Sequence, residues 1–305
     1  MKNMKKLSIF LFLILGVTFT SCETTDLDLL DDPNDITLDK ASLDRYLVAI
    51  QLDFTDFIED MGRNGAQLTR MEQMRGRTYQ ATYTPAFSDT EWRTAYQGMF
   101  SDIAGAELVA TEQEAFNHLA VMNIIKAYTL MTLVDFYGDV PFSEATNPSE
   151  FPFPSVDDDA TVYAGALALL DLASAQLLEG GPNLENDFFY DNDFTKWSKA
   201  LNTMKMSAYL NTRLVDSDAL NKFNSIVTSG NFISSNDDDL QFTYLTGEVQ
   251  PDTRHPAYAA DYTTSGASRY RSNYLMNLML TQNDPRIRYY FVRQKPCTPG
   301  AIGVD

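Results

Sequence analysis

The sequence predicts an all-α fold of stacked helix pairs with long irregular loops, and three observations carry that prediction. Apolar residues recur at three- and four-residue spacing through successive segments from Ser42 onward. Capping residues and glycine or proline stops bound most of these segments. Strand-like alternation is scarce, with Leu240-Gln241-Phe242-Thr243-Tyr244 its best example.

The first helix carries Leu43, Tyr46, Leu47, Ile50, Phe54, Phe57, Ile58 and Met61 at helical spacing, and Gly62 supplies a stop. The second begins at Ser88-x-x-Glu91, a capping box, presents Trp92, Tyr96, Met99, Phe100 and Ile103 on one face, and ends near Thr111. A third runs from about 113 to 136 through Phe116, Leu119, Ile124, Tyr128 and Met131, closed by Gly138 with Pro141 beyond. The fourth starts near Ser155-x-x-Asp158, turns Tyr163, Leu167, Leu170 and Leu177 inward, and ends at Gly180-Gly181-Pro182. The fifth, 193 to 215, buries Trp197 among Phe194, Leu201, Met204 and Ala208. Two shorter helices follow, at 217 to 230 and 272 to 282. Helix, short turn, helix favours stacked antiparallel pairs, although no strict repeat of about 34 residues can be read, so any kinship to tetratricopeptide units is degenerate.

Ahead of these elements stands a leader. Three lysines in MKNMKK precede an apolar run from Leu7 to Val17, the pattern of a secretory signal. Its eleven residues reach only about 17 Å as a helix, too short to span a bilayer. Phe19-Thr20-Ser21-Cys22 resembles a bacterial lipobox, in which the cysteine is acylated and becomes the new N-terminus. The chain thus divides into a lipoprotein signal peptide (1–21), an acidic tether (22–40) and a helical domain (41–305). From Glu23 to Asp39 the tether has seven carboxylates and no lysine or arginine, so self-repulsion extends it. An acidic stretch just after a lipidated cysteine also resembles the signal some Gram-negative lineages use for display on the outer face.

Losing Lys2, Lys5 and Lys6 with the leader takes the formal charge from −19 to −22. That balance argues against nucleic acid and against adhesion to an anionic bilayer, leaving acyl chains as the anchor. Two cysteines cannot make a disulfide framework, so the domain relies on its core. No second apolar stretch is expected to reach membrane-spanning length.

Catalytic signatures are missing. His118, expected on the surface or half buried, and His255, in the loop TRHPAYAADY, have no zinc-ligand spacing. There is no G-x-S-x-G, no phosphate-binding lysine loop and no G-x-G-x-x-G. Asp157-Asp158-Asp159 and Asn236-Asp237-Asp238-Asp239 lack the ligand alternation of a calcium loop and read as caps or solvated charge. Carboxylate pairs are too numerous among 42 acids to indicate glycoside hydrolysis. Aromatics are 12% of the chain, with Phe188-Phe189-Tyr190 in one loop and Tyr258, Tyr262, Tyr270 and Tyr274 around another. Such rings, beside Asp, Asn and Arg, suit sugars, whose C–H faces stack while hydroxyls take hydrogen bonds.

Three stretches resemble the SusD/RagB family of outer-membrane nutrient-binding lipoproteins, closest to its starch-binding-associated subgroup. They are LVDFYGDVPFSEA (133–145), DFTKWSKALNTMKMSAYLNTR (193–213) and NDPRIRYYF (283–291), behind the lipobox and an acidic start with Asp32-Pro33-Asn34. The resemblance implies a tetratricopeptide-like α-α superhelix with loops carrying the ligand site, and a binding role rather than an enzymatic one. It further implies an outer-membrane, lipid-anchored protein that captures glycans, or in some members peptides, for a TonB-dependent SusC-like barrel. A surface glycoside hydrolase is the alternative from another class. Family members are generally longer, so the chain is expected to be incomplete at its C-terminus.

No cofactor and no metal are expected. The expected ligand surface is the loop from Asp252 to Tyr274, with Tyr258, Tyr262 and Tyr270 stacking on sugar and Asp261 and Arg269 bonding hydroxyls.

Overall fold

The computed structural model describes residues 42–73, 84–248, 252–261 and 271–291. The leader, Cys22 and the acidic tether lie outside them.

Helix α1, Leu43–Leu68, buries Leu43, Leu47, Ile50, Phe54, Phe57 and Met61, a stripe whose steps alternate between four and three residues. Gly62 does not stop it. An interior glycine costs a helix only about 1 kcal/mol relative to alanine, which the packing of a 26-residue helix outweighs. A 3₁₀ turn at Pro85–Ser88 leads into α2, Asp89–Trp92, then a π-helical stretch, Arg93–Phe100, then α3, Ser101–Glu112. The expected capping box is not made, because Ser88 makes no cap bond and Glu91 turns inward instead. There Glu91 Oε1 accepts from Asn64 Nδ2 of α1 at 2.7 Å. The π-helical stretch packs on α1 so closely that a Cβ at Gly98 would run into the Asp53 carboxylate. Only glycine fits that approach unless Asp53 moves.

Helix α4, Phe116–Tyr137, is buried on nearly every side and ends at Gly138, whose φ of 77° suits glycine. His118 is a correction: it is 2% exposed, with Nε2 3.0 Å from Asp44 Oδ1 of α1. Helix α5, Asp159–Glu179, is capped by Asp158, which accepts from Ala160 N–H, and makes its broadest contact with α4. By length and composition both α4 and α5 could cross a membrane, against the sequence expectation. In the fold they pack against each other, and α4 is apolar all round because it is a core helix. Helix α6, Phe194–Thr212, is capped by Asp193 and holds Trp197 fully buried. Helix α7, Ala219–Ser229, stops at Gly230 in the left-handed region. Three short helices complete the described residues: α8 (Pro256–Asp261), α9 (Asn273–Thr281) and α10 (Ile287–Tyr290).

The fold is all-α, as the spacing predicts, and consecutive helices pack as neighbours: α3 on α4, α4 on α5, α5 on α6, α6 on α7. Residues 240–244 form no strand. Among the described residues the β-type pairings are isolated bridges, Glu72 with Arg271 and Val140 with Asp157. Alternation at 240–244 arises because Leu240, Phe242 and Tyr244 turn toward the helices while Gln241 and Thr243 are exposed.

Candidate functional site

Where α1, α4 and α6 meet the chain returning after α7, a cavity of about 520 Å³ opens. Helix α1 contributes Phe54, Thr55, Ile58 and Glu59, α4 contributes Tyr128, and α6 contributes Ala200, Thr203 and Met204. Phe189 forms another wall, and Ile233, Leu240, Gln241, Phe242, Tyr244 and His255 close the far side.

Buried polar side chains of the helices set these walls. Gln51 on α1 is fully buried and holds the 186–188 segment from both ends, its Nε2 donating to Asn186 O at 2.9 Å and its Oε1 accepting from Phe188 N–H at 3.0 Å. Asp187 gathers the next turn, accepting from the N–H groups of Phe189, Tyr190 and Asn192 and from Trp197 Nε1 at 2.8 Å. Phe189 is thereby fixed against the indole, ring centres 5.8 Å apart. Helix α6 then carries the far wall. Thr203 Oγ1 accepts from Ile233 N–H at 2.9 Å, Asn202 Nδ2 donates to Asn231 O at 2.9 Å, and Lys199 pairs with Asp238 at 2.9 Å. Tyr190 adds its hydroxyl to Asp238 O at 2.8 Å.

Beyond Tyr244 the chain doubles back. Leu245 N–H donates to Thr253 O at 2.9 Å and Thr253 N–H to Gly247 O at 3.1 Å, which brings His255 beside Tyr244 with ring centres 4.6 Å apart. A relay of edge-to-face or tilted rings therefore runs outward from the core: Trp197, Phe189, Phe242, Tyr244, His255, with Phe54 joining at Phe189 and Tyr128 behind Phe54. Such geometry follows from the ring quadrupole and locks the rings without sealing the cavity.

The polar character is acidic. Glu59 is the one carboxylate in the lining, which has no lysine or arginine. Burial, reinforced by the nearby carboxylates of Asp56 and Glu59, pushes the Tyr244 hydroxyl up to about 12. Asp56 itself is raised by burial and by Asp60. A lone carboxylate does not make the acid pair that glycosidic cleavage uses. What the cavity can do is stack on a flat apolar face and bond its edges through Glu59, Gln241, Thr55 and Thr203.

A second cleft of about 440 Å³ lies over the π-helical stretch, between Asp89, Trp92, Arg93, Tyr96, Gln97 and Pro141. Its rings are already occupied, since Trp92 stacks on Tyr96 at 5.0 Å and Tyr96 donates to Pro141 O at 2.7 Å. The acidic runs act locally. Asp158 caps α5, Asp139 accepts from Asp159 N–H, and Asp157 takes the N–H groups of Phe142 and Ser143 and the Ser143 hydroxyl. Carboxylate oxygens of Asp139, Asp158 and Asp159 converge within 4.8 Å on the exposed surface, an arrangement these capping roles explain.

The residues singled out from sequence fall unevenly. Tyr258 is exposed on α8, three residues beyond His255 and outside the cavity lining. Asp261 ends the same helix, its side chain outside the description, and Tyr262, Arg269 and Tyr270 lie outside the described residues. Phe189, from the flagged Phe188-Phe189-Tyr190 run, does line the cavity, while Tyr190 is buried. Phe54, Ile58, Glu59 and Tyr128 went unnoticed as site residues, because helical spacing marks a stripe as inward without telling core from cavity.

A family model described as SusD-like, starch-binding and associating with the outer membrane, matches residues 39–304. No curated protein matches the sequence. Among solved structures, a SusD/RagB family protein from Bacteroides thetaiotaomicron is 20% identical, with a TM-score of 0.64 over 78% of this chain and 53% of that one. A chitin-binding protein is 22% identical, with a TM-score of 0.62 over 78% and 53%. A SusD-like protein from Bacteroidetes is 17% identical, with a TM-score of 0.65 over 81% and 50%. At these identities the likeness is one of fold, and the chain spans about half the length of the structures it matches.

Proposed function

This chain belongs to the SusD-like family, and we propose that it is a surface lipoprotein that captures glycans and delivers them to a TonB-dependent, SusC-like outer-membrane barrel. The observation that carries the reading is the aromatic cavity, whose walls are fixed by buried polar bonds before any ligand arrives. Preorganised rings lose little freedom on binding, so stacking is not offset by ordering. The family description as starch-binding, and the chitin-binding title of one structural neighbour, favour a saccharide. Binding without bond cleavage is the role that a cavity with a single carboxylate supports.

In this proposal Tyr258, Tyr262 and Tyr270 also stack on sugar, and Asp261 and Arg269 bond its hydroxyls. Acylated Cys22 holds the protein at the outer membrane. Fractionation tests that anchor: Cys22→Ala should move the protein from the membrane to the soluble fraction, and unchanged association contradicts it. Calorimetric titration with starch and chitin oligosaccharides, beside peptides of similar size, tests the ligand. Binding of an oligosaccharide and not of the peptides supports the reading; the reverse makes this a peptide-capturing member of the family, and release of shortened sugars would make it a hydrolase.

A further inference from the structure

We propose that the inner part of the cavity holds an apolar substituent carried on the sugar, so that its ligand class is a glycan bearing acyl or aryl groups rather than a bare one. This rests on the glycan reading above and specifies the ligand of the same site. Three observations point to it.

The first is a gradient of chemistry with depth. Of the lining residues, Phe54, Thr55, Ala200 and Met204 are buried and form the floor, whereas Gln241 and His255 are exposed and form the rim. Between them stand the aliphatic side chains of Ile58, Ile233 and Leu240, which pack against the core. The exposed end is therefore polar, and the buried end is apolar but for the Thr55 hydroxyl.

The second is what the hydroxyls of the helical walls already do. Thr55 Oγ1 donates to Gln51 O at 2.8 Å, within α1. Thr203 Oγ1 donates to Lys199 O at 2.8 Å and accepts from Ile233 N–H at 2.9 Å. Neither keeps a proton for a ligand oxygen. A bare sugar turned into the floor would leave hydroxyls short of hydrogen-bond partners, a desolvation cost that an alkyl chain or an aryl ring does not incur.

The third is room. About 520 Å³ falls in the range of pockets that enclose most of a small ligand, about 300–1,000 Å³. A saccharide bonded to Gln241 and His255 takes the outer end and leaves the apolar end to water, which finds few hydrogen bonds there. Replacing that water by methylenes or a flat ring favours binding.

The test is a series of β-maltosides with methyl, butyl, hexyl and phenyl aglycones, each below its micelle concentration. They are titrated calorimetrically into the full chain carrying Cys22→Ala, so that no acyl anchor competes for the tail. Each methylene that enters the floor should tighten binding about three- to fourfold, so hexyl maltoside should exceed methyl maltoside by at least about thirtyfold. The heat-capacity change on binding should grow more negative along the alkyl series. A phenyl gain larger than the hexyl gain supports an aryl substituent, and a smaller one supports an acyl chain. Ala200→Leu, which fills the floor from α6, should flatten the series. Ile58→Gln, at a half-buried position of α1, should lower its slope as well, and serves if the overpacked variant fails to fold. Affinities that ignore the aglycone, or a series equally steep in a folded variant, would overturn the assignment while leaving glycan capture standing. Hexanol that binds as tightly as hexyl maltoside overturns it too, because the sugar then contributes nothing. Binding of no maltoside and of no chitin oligosaccharide removes both readings.

Discussion

The helical stack from α1 to α6 and the segment from 231 to 261 that leans on it are held by different physics. In the stack, Phe57, Ile50, Ile124, Leu133, Leu170 and Trp197 are fully buried, and stability follows the area of apolar surface removed from water. Between 231 and 261 Asp238 alone is buried among the described residues, and the chain is held by directed bonds to Thr203, Asn202, Lys199 and Tyr190. The site lies on the boundary. One side supplies rigid rings; the other supplies a wall that can vary in sequence without unsettling the core.

Perturbations of the two regions should therefore separate. The largest expected effect is Trp197→Ala, which empties a fully buried site on α6 and leaves Asp187 without its indole partner. Chemical denaturation should show a loss of about 3–5 kcal/mol for the whole domain, and a loss below about 1 kcal/mol would mean the stack does not depend on that core. Next is Gln51→Ala, which strands Asn186 O and Phe188 N–H at the boundary. A cost of about 1–3 kcal/mol is expected, the desolvation penalty of unpaired buried groups, and amide exchange should rise at 186–189 before it rises in α4. Uniform exchange across both would erase the distinction.

The smallest effect has the opposite sign. Asp53 has its carboxyl raised by burial, then by Asp102 and Asp56, so ionising it disfavours the fold. For an acid raised in the folded state, stability falls as pH climbs past the unfolded value of about 3.9. Asp53→Asn should accordingly stabilise at neutral pH by a few tenths of a kcal/mol, discounted because the group is only partly buried. The gain should vanish below about pH 3, where both states bind the proton. Destabilisation at pH 7 would show instead that the Asp53 charge is compensated at its contact with Gly98.

The same boundary separates what was legible in the sequence from what was not. Asp158, Asp193 and Ser272 cap helices that begin close to where the spacing places them, and Gly138, Gly180 and Gly230 close theirs, because capping is local chemistry. The π-helical stretch was invisible, since Trp92, Tyr96, Met99 and Phe100 keep nearly helical spacing while the backbone bonds shift register. Gly62 misled because long-range packing overrides a weak local preference. Within the site, aromatic clustering found Phe189 and the neighbourhood of His255. It could not find Phe54 or Glu59, whose roles depend on a segment some 180 residues later in the chain.

The central claim, that the boundary cavity is where a glycan is held, is tested most directly by titrating a starch or chitin oligosaccharide into the Phe242→Ala/Tyr244→Ala chain and the unaltered one. Both rings lie in the bond-held segment, outside the buried core, so the domain should keep its denaturation midpoint. With base stacking on an aromatic as the nearest measured analogue, worth about 1–3 kcal/mol per ring, the account predicts a fall in affinity of at least about tenfold. Unchanged affinity in the folded double variant would contradict it and move the site away from this cavity.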